Sequence, residues 1–303
     1  MLYSKTTPEQ KRRTLRELLV PGTARQFPGA FNPLSARLIE EKEYDGVYIS
    51  GAVLANDLGL PDIGLTTLTE VATRAGQIAR MTDLPAIVDA DTGFGEPMNV
   101  ARTVQELENA GLAGCHIEDQ FNPKRCGHLD GKNVVALDVM LKRIAAAAEA
   151  KRDPNFLIMA RTDVRAVDGL EATVDRAKAL VDAGADAIFP EAMKSLAEFE
   201  AVCSAVDVPV LANMTEFGQS ELFTRSRLAD AGIALVIYPV TLLRSAMGAA
   251  ERVLDTIRAD GTQQAAVDSM LTRARLYELV DYGSYNTFDA GVFNFKVPGL
   301  ADS

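Results

Sequence analysis

Histidine is scarce in this chain: among 303 residues only His116 and His128 carry an imidazole. Cysteine is nearly as rare, with Cys115, Cys126 and Cys203 at spacings that form no pair. A zinc centre draws its ligands largely from these two residue types. That counts against one here, and any metal should be a hard cation on carboxylates. Unpaired thiols fit a reducing compartment rather than a disulfide framework. Basic residues are also short: 31 Lys and Arg face 42 Asp and Glu, a formal charge of −11. That balance argues against nucleic acid and against an anionic membrane surface as partners. No apolar run is long enough to span a bilayer, and the polar first residues hold no signal core. A cytoplasmic protein without a membrane partner is expected. No G-x-G-x-x-G follows the first strand candidate, which weakens a dinucleotide-binding reading.

What the chain does have is a regular alternation. Apolar residues make up 48% and charged residues 24%, ordinary for a globular chain. Thr7-Pro8-Glu9-Gln10 reads as a helix start: a threonine cap, proline in the first helical position, and a glutamine able to close a capping box. That helix should run to about Leu19 and stop at Val20-Pro21-Gly22. Short apolar runs then predict strands at 24–28, 46–50, 85–89, 114–119, 156–162, 187–190, 208–213 and 234–239. Amphipathic segments at 98–110, 137–151, 170–183 and 195–206 predict helices between them. Several end in Ala-Gly, as at Ala110-Gly111 and Ala183-Gly184, where glycine supplies the C-cap. Strands alternating with helices in this number point to a parallel (β/α)₈ barrel of the TIM type, with a doubly wound sheet as the alternative. The economical division is one domain over 1–303, with the barrel over 24–260 and a helical extension over 261–303. Within that extension one further helix is expected over 262–280.

In such a barrel the chemistry gathers at the C-terminal ends of the strands, and polar residues recur there. Tyr48-Ile49-Ser50-Gly51 ends the second, Asp89-Ala90-Asp91 the third, Glu118-Asp119 the fourth and Arg161-Thr162-Asp163 the fifth. Pro190-Glu191 ends the sixth and Asn213-Met214-Thr215-Glu216 the seventh, and Arg244 opens the helix after the eighth. Taken singly, each has a plain structural explanation. Asp163 and Thr215 suit helix caps, Arg161 and Glu191 a buried ion pair, and His116 a satisfied core position. Cys115 and Cys203 read as core filler. Taken together they say more. Asp89 and Asp91 share a face, and carboxylates that close repel unless a cation lies between them. Mg²⁺, with Mn²⁺ as a substitute, suits such a pair. Arg161, Arg244 and Lys124 stand opposite, which suggests a small substrate with several carboxylates. Ahead of the next helix lies Lys124-Arg125-Cys126-Gly127-His128. Cations beside a thiol favour the thiolate, so Cys126 could trade a proton near neutral pH. A solvated basic loop with an incidental cysteine is the other reading.

With Val88-Asp89-Ala90-Asp91-Thr92-Gly93-Phe94-Gly95 and His116-Ile117-Glu118-Asp119 ahead of it, that stretch resembles the isocitrate lyase/phosphoenolpyruvate mutase superfamily. Ala160-Arg161-Thr162-Asp163, Phe189-Pro190-Glu191-Ala192, Asn213-Met214-Thr215-Glu216-Phe217-Gly218 and Tyr238-Pro239 resemble its branch that splits a methylated isocitrate. The resemblance spans about 28–285. It implies a Mg²⁺-dependent barrel whose C-terminal helix is exchanged between paired subunits, giving a homotetramer as a dimer of helix-swapped dimers. It implies cleavage of a carbon–carbon bond in a tricarboxylate, here 2-methylisocitrate, into succinate and pyruvate. By the same resemblance Asp89 and Asp91 hold the metal, with Asp62 and Glu118 in its outer shell. Ser50, Gly51 and Ala52 bind a substrate carboxylate. Cys126, Gly127, Arg161, Glu191, Asn213, Met214, Thr215, Arg244 and Arg273 complete the pocket. Cys126 transfers the proton, beside Lys124 and His128. Two departures bear on the substrate. Ala52 stands where many members carry glycine, and Leu129-Asp130-Gly131-Lys132 leans toward the isocitrate lyases. The absence of tryptophan leans the other way, since isocitrate lyases carry one where Phe189 stands.

The expected chemistry needs a base for the alcohol proton, and Tyr48 is the candidate, provided that neighbouring cations lower its pKa. Phe189 and Ile237 are expected to line a methyl pocket. Four rivals remain. One is an isocitrate lyase, and another a hydrolase or mutase of oxaloacetate or phosphonopyruvate in the same superfamily. A third is a Schiff-base aldolase, which needs a strand-end lysine that none of these strands carries. The fourth is a non-catalytic barrel, from which carboxylates or the thiol should have been lost.

Overall fold

The computed structural model describes residues 4–124 and 133–293. In chain order the elements are α1 (Pro8–Leu18), β1 (Arg25–Pro28), α2 (Pro33–Glu41), β2 (Val47–Ile49), α3 (Gly51–Asp57), α4 (Leu68–Ala79) and β3 (Ala86–Asp89). Then come α5 (Pro97–Asn109), β4 (Gly114–Glu118), α6 (Leu137–Ala150), β5 (Leu157–Thr162), α7 (Arg165–Asp182), β6 (Ala187–Pro190) and α8 (Leu196–Cys203). The last are β7 (Leu211–Asn213), α9 (Arg225–Asp230), β8 (Leu235–Tyr238), α10 (Thr241–Asp260), a 3₁₀ turn (Gln264–Ser269), α11 (Arg273–Leu279) and α12 (Tyr282–Phe293).

β2 to β6 pair in sequence order, and β8 lies between β1 and β7. Every pairing is parallel. Single parallel bridges at Gly29–Tyr48 and Ile188–Val210 close the ring. The fold is therefore the expected (β/α)₈ barrel. Strand limits differ by a residue or so from the expected ones, except that β7 begins at Leu211, with Val210 outside it in an isolated bridge to Ile188.

Alternation along each strand splits the apolar residues into two cores. Val47, Ile49, Val88, Cys115, Ile158, Ile188 and Val236 face outward under the helices. Phe27, Tyr48, Ile87, Leu157, Met159, Phe189, Leu211 and Ile237 fill the lumen. Leu15 and Leu19 belong to the lumen cluster too, so α1 stoppers the barrel. The capping box of Thr7 and Gln10 starts α1 as expected. Arg12 and Arg16 hold it against the N-terminal mouth, donating to Leu112 O (Arg12 Nε, 3.1 Å), Glu108 O (Arg12 Nη2, 2.7 Å) and Phe156 O (Arg16 Nη2, 3.0 Å). With that end closed, the C-terminal mouth is the open one.

Three expectations are corrected. No single helix covers 262–280. After the 3₁₀ turn Met270 is extended (φ −91°, ψ 151°), and Thr272 caps α11 by accepting from Arg275 N. The left-handed Asp281 (φ 56°) then separates α11 from α12. Threonine is worth more as a cap than within a helix, so the chain restarts there. The helix expected over 170–183 is preceded by an extra turn from Arg165, with a break at Gly169 (φ 87°, ψ −171°). Cys203 is half-buried rather than core, and burial pushes its thiol up to about 11. Among the described residues no helix is long and apolar enough to cross a membrane.

Candidate active site

The inward-facing residues at the C-terminal ends converge on one cleft. Its lining includes Tyr48, Ser50, Ala52, Asp62, Asp89, Lys124 and Arg161 on one arc. Phe189, Glu191, Asn213, Thr215, Pro239, Val240 and Arg244 complete it. Its floor is an aromatic layer drawn from alternate strands. Tyr48 of β2 stacks on His116 of β4 (centroids 5.8 Å apart, 8° between planes), and His116 meets Phe189 of β6 edge-on at 5.2 Å. Layers supplied by alternate strands are how a TIM-type lumen fills.

Acidic side chains gather on one side. Asp89 Oδ2 accepts from Gly51 N at 3.2 Å and its Oδ1 from Asp91 N at 3.0 Å. Asp91 is left-handed (φ 46°), which turns the chain just past β3. A Cβ on Gly51 would stand 3.0 Å from Asp89 Oδ2 and 3.2 Å from Asp91 Oδ1, so glycine permits that approach. Lys124 Nζ bridges Asp62 Oδ1 (2.5 Å) and Asp91 Oδ1 (2.8 Å). Burial raises the Asp91 carboxyl to about 6, with Lys124 opposing and Asp89 assisting. Burial also pushes Asp89 up, but His116, Lys124 and Arg161 outweigh it and leave that carboxyl below its ordinary value. Burial pulls the Lys124 ammonium down, yet Asp91, Asp89, Glu118 and Asp62 together hold it above its ordinary value. Glu118 is fully buried, neither of its carboxyl oxygens makes a hydrogen bond among the described residues, and burial raises it well above the carboxylate range.

These residues fit a hard cation. Carboxylate oxygens crowd a space bridged by the Lys124 head, and among the described residues the Glu118 oxygens meet only the Arg161 guanidinium, 3.4 Å away and outside hydrogen-bond geometry. Among the described residues no three His, Cys, Asp or Glu side chains close into a ready-made cage. An ion held here would rest on Asp89 and Asp91 and complete its shell with water and substrate oxygens, as Mg²⁺ characteristically does.

Arg161 dominates the opposite side. Its Nε lies 3.0 Å from Asp163 Oδ2 and 3.4 Å from Glu118 Oε2, and its Nη2 lies 3.2 Å from Glu191 Oε2. The guanidinium also sits 5.2 Å from the Phe189 ring centroid. Glu191 Oε1 accepts from Ala192 N (2.9 Å) and Asn213 Nδ2 (3.3 Å). Arg244 is partly exposed. Its Nη1 donates to Glu216 O (2.8 Å) and Oε2 (3.0 Å), and it lies over Phe217.

Tyr48 Oη lies 2.7 Å from His116 Nε2. The expectation that cations lower the Tyr48 pKa is corrected: burial, then Asp89, pushes it well above its ordinary value, and Arg161 opposes them. His116, expected as a satisfied core residue, is fully buried and bonded to Tyr48, so it lies under the site as part of its floor. Burial lowers it to about 4 against the pull of Asp89, so the imidazole is neutral near pH 7.

Not every expected residue reaches the cleft. Gly51, Asp91 and Glu118 stand just behind its lining through the contacts above. Met214 is packed in the outer core, and its N–H is spent on Ile237 O at 3.0 Å. Ile237 fills the lumen instead of the cleft, which leaves Phe189 from the expected methyl-pocket pair. Arg273 is exposed at the start of α11, which lies on the outside of the barrel, where Arg275 pairs with Glu41 of α2. It is outside this chain's own cleft. Cys126, Gly127 and His128 lie outside the described residues. Pro239 and Val240 line the cleft unforeseen, although their place directly after β8 was the signal. The role of Asp163 was unforeseen as well: it grips Arg161 instead of capping α7, whose N-cap is Val164.

A TIM-type barrel whose small polar cleft at the C-terminal mouth gathers carboxylates, a lysine and two arginines has the architecture of an enzyme for a small-molecule substrate. The chain belongs to the phosphoenolpyruvate phosphomutase family, whose model matches residues 15–258. It is 59% identical over 98% of its length to a probable 2-methylisocitrate lyase 2 of Corynebacterium glutamicum, covering 96% of that protein. It is 46% identical over 90% of its length to the 2-methylisocitrate lyase of Escherichia coli, covering 93%. It also superposes on a phosphonopyruvate hydrolase solved with oxalate and Mg²⁺, with a TM-score of 0.82, 28% identity, and coverage of 94% of this chain and 99% of that one.

Proposed function

We propose that the chain is a carbon–carbon lyase that splits 2-methylisocitrate into pyruvate and succinate, the cleavage step of propionate catabolism by the methylcitrate cycle, with Mg²⁺ as cofactor. The observation that carries this reading is the cleft lined by Asp89, Lys124, Arg161 and Arg244, with Asp91 just behind its wall on Lys124. The whole-length similarity to 2-methylisocitrate lyases supports it over isocitrate lyase and over the hydrolases and mutases. When bound, Mg²⁺ acidifies the substrate hydroxyl and polarises the forming carbonyl. Arg161, Arg244 and Asn213 bind substrate carboxylates and hold the charge that builds on the departing succinate carbanion. Tyr48 is our candidate to take the hydroxyl proton at Oη. His116 Nε2 lies 2.7 Å from it; burial and Asp89 outweigh Arg161 and hold its pKa well above the ordinary value, so this role would need a cation bound beside Asp89 to favour the phenolate. Cys126 then gives its proton to the carbanion, in company with Lys124 and His128. Ala52, Phe189 and Val240 supply apolar wall for the substrate methyl.

The same reading treats 1–303 as one domain and the protein as cytoplasmic. Two copies would exchange C-terminal helices and pair again into a tetramer. Exposed apolar side chains on α10 and α12 support it: Met247, Leu254, Phe288 and Val292 are all more than half exposed.

The test is the purified protein with Mg²⁺, given 2-methylisocitrate, isocitrate, oxaloacetate and phosphonopyruvate in turn. Pyruvate and succinate are expected from the first, at a kcat/KM about 10–200-fold above that for isocitrate, the range one methyl commands. EDTA should abolish turnover, and Mg²⁺ or Mn²⁺ should restore it. Equal or better cleavage of isocitrate would reassign the substrate, and full activity in metal-free buffer would remove the cation.

A further inference from the structure

Behind the cleft lies a buried carboxylate to which the mechanism above gives no role. Asp119 directly follows β4 and is fully buried. Its Oδ1 accepts from Asp163 N at 2.9 Å. Its Oδ2 accepts from Thr162 Oγ1 at 2.6 Å and from Arg176 Nη1, on α7, at 2.9 Å. Arg176 Nη1 also donates to Val135 O at 3.1 Å, and Val135 N returns a bond to Asp119 O at 2.8 Å. Phe121 N bonds Asn133 O at 3.0 Å, and Gln120 bridges Val134 in antiparallel fashion. Residues 119–121 and 133–135 thus form a short ribbon, with Lys124 carried between its two stems. Arg176, on an outer helix, thus clasps the two stems of that ribbon, and the Asp119 carboxylate ties the ribbon to the end of β5. There Asp163, whose own N–H is held by Asp119, grips Arg161 through Nε (3.0 Å) and Nη2 (3.3 Å).

We infer that Arg176 and Asp119 are positioning residues, whose pair sets where Arg161 stands in the cleft and where the stems bearing Lys124 meet. This rests on the reading that Arg161 and Lys124 work on the substrate. Neither member of the pair lines the cleft, so neither is catalytic. Their effect is geometric: a shift of about 1 Å in a substrate-holding group can cost about 10²-fold in rate. A buried carboxylate keeps its place only while its partners hold it, and Arg176 is its charged partner from the helix layer.

A plain structural pair would lower the melting temperature and leave kcat per folded molecule unchanged. A positioning pair moves kcat. The experiment uses full-length Arg176→Ala and Arg176→Lys with Mg²⁺. Alanine preserves the helix; lysine preserves the charge on an unforked stem. In the alanine variant kcat should fall about 10²-fold with KM within a few-fold of wild type. Exchange of the Asp163 and Val135 amides, both held by Asp119, should quicken. Lysine should recover part of the rate and part of the protection. Unchanged kcat in the folded alanine variant overturns the inference, as does a loss of kcat with both amides still protected. If the alanine variant does not fold, the lysine variant decides on the same two readings. A wild type inactive on 2-methylisocitrate would sink the functional reading instead, and amide exchange would still judge the pair.

Discussion

Cys126 is the residue on which the proposed chemistry turns, and it was legible in the sequence only through its neighbours. Cations at Lys124 and Arg125 favour a thiolate, whereas Cys115 is buried and pushed above its ordinary pKa by that burial. Replacing Cys126 with serine keeps size and polarity but puts the donor pKa far above neutrality. The expected loss in kcat is about 10²–10⁴-fold, with KM within about tenfold, the pattern of an interaction made in the transition state. Steady-state kinetics decide it: near-normal kcat would move the proton to another donor. Asp89, Asp91, Arg161, Glu191 and Arg244 were equally legible, because a strand-end position is a local property. Met214 was not. Its position beside Asn213 looked equivalent, but strand alternation turns it outward into the helix layer.

At the scale of elements, α1 and the corner ahead of it show how a helix is tied to a barrel. Lys5 N and Thr6 N donate to Asp83 Oδ1 at 2.6 and 2.8 Å, and Ser4 N donates to Arg80 O at 2.8 Å. Burial pushes the Asp83 carboxyl up, but the Thr6 and Lys5 donors outweigh it and hold the pKa below its ordinary value. A carboxyl depressed on folding contributes stability above its unfolded pKa, and loses it as pH falls through the folded one. Asp83→Ala should therefore cost about 1 kcal/mol at pH 7, the modest end for a charge-assisted hydrogen bond at a half-exposed site. The gap to wild type should be smaller at about pH 3 than at pH 7, because the carboxyl begins to protonate there. Urea unfolding at the two pH values tests it, and an equal gap at both would refute the linkage. The capping box that starts α1 was readable from four residues. Its role as a stopper was not, since Leu15 and Leu19 look like any amphipathic pair until the lumen receives them.

At the scale of the whole molecule, the C-terminal helices leave apolar surface that the barrel does not cover. α10 buries none of its residues, and neither does α12. A monomer exposing Met247, Leu254, Phe288, Val292 and Phe293 together has the kind of surface that marks association. The helix-swapped tetramer proposed above predicts that Leu254→Glu or Phe288→Asp lowers the oligomer by at least one step, read by sedimentation or light scattering. Each exchanges a buried apolar contact for a buried unpaired charge, which an interface tolerates poorly. A mass unaltered in both variants would place the interface elsewhere.

The sequence by itself determined the alternation of eight strands with helices, the capped start of α1, and the strand-end residues from which a site could be built. Each of these follows from periodicity, caps and spacing within a few residues, and such signals survive without knowledge of the rest of the chain. Only the tertiary structure decided which strand-end residues share the cleft. It set Lys124 between Asp62 and Asp91, and put His116 under Tyr48. It turned Asp163 onto Arg161, Asp119 onto Arg176, and Arg273 away from the cleft. Those arrangements join residues from distant parts of the chain, so they exist only once the ring has closed and its register has fixed which side chains point inward.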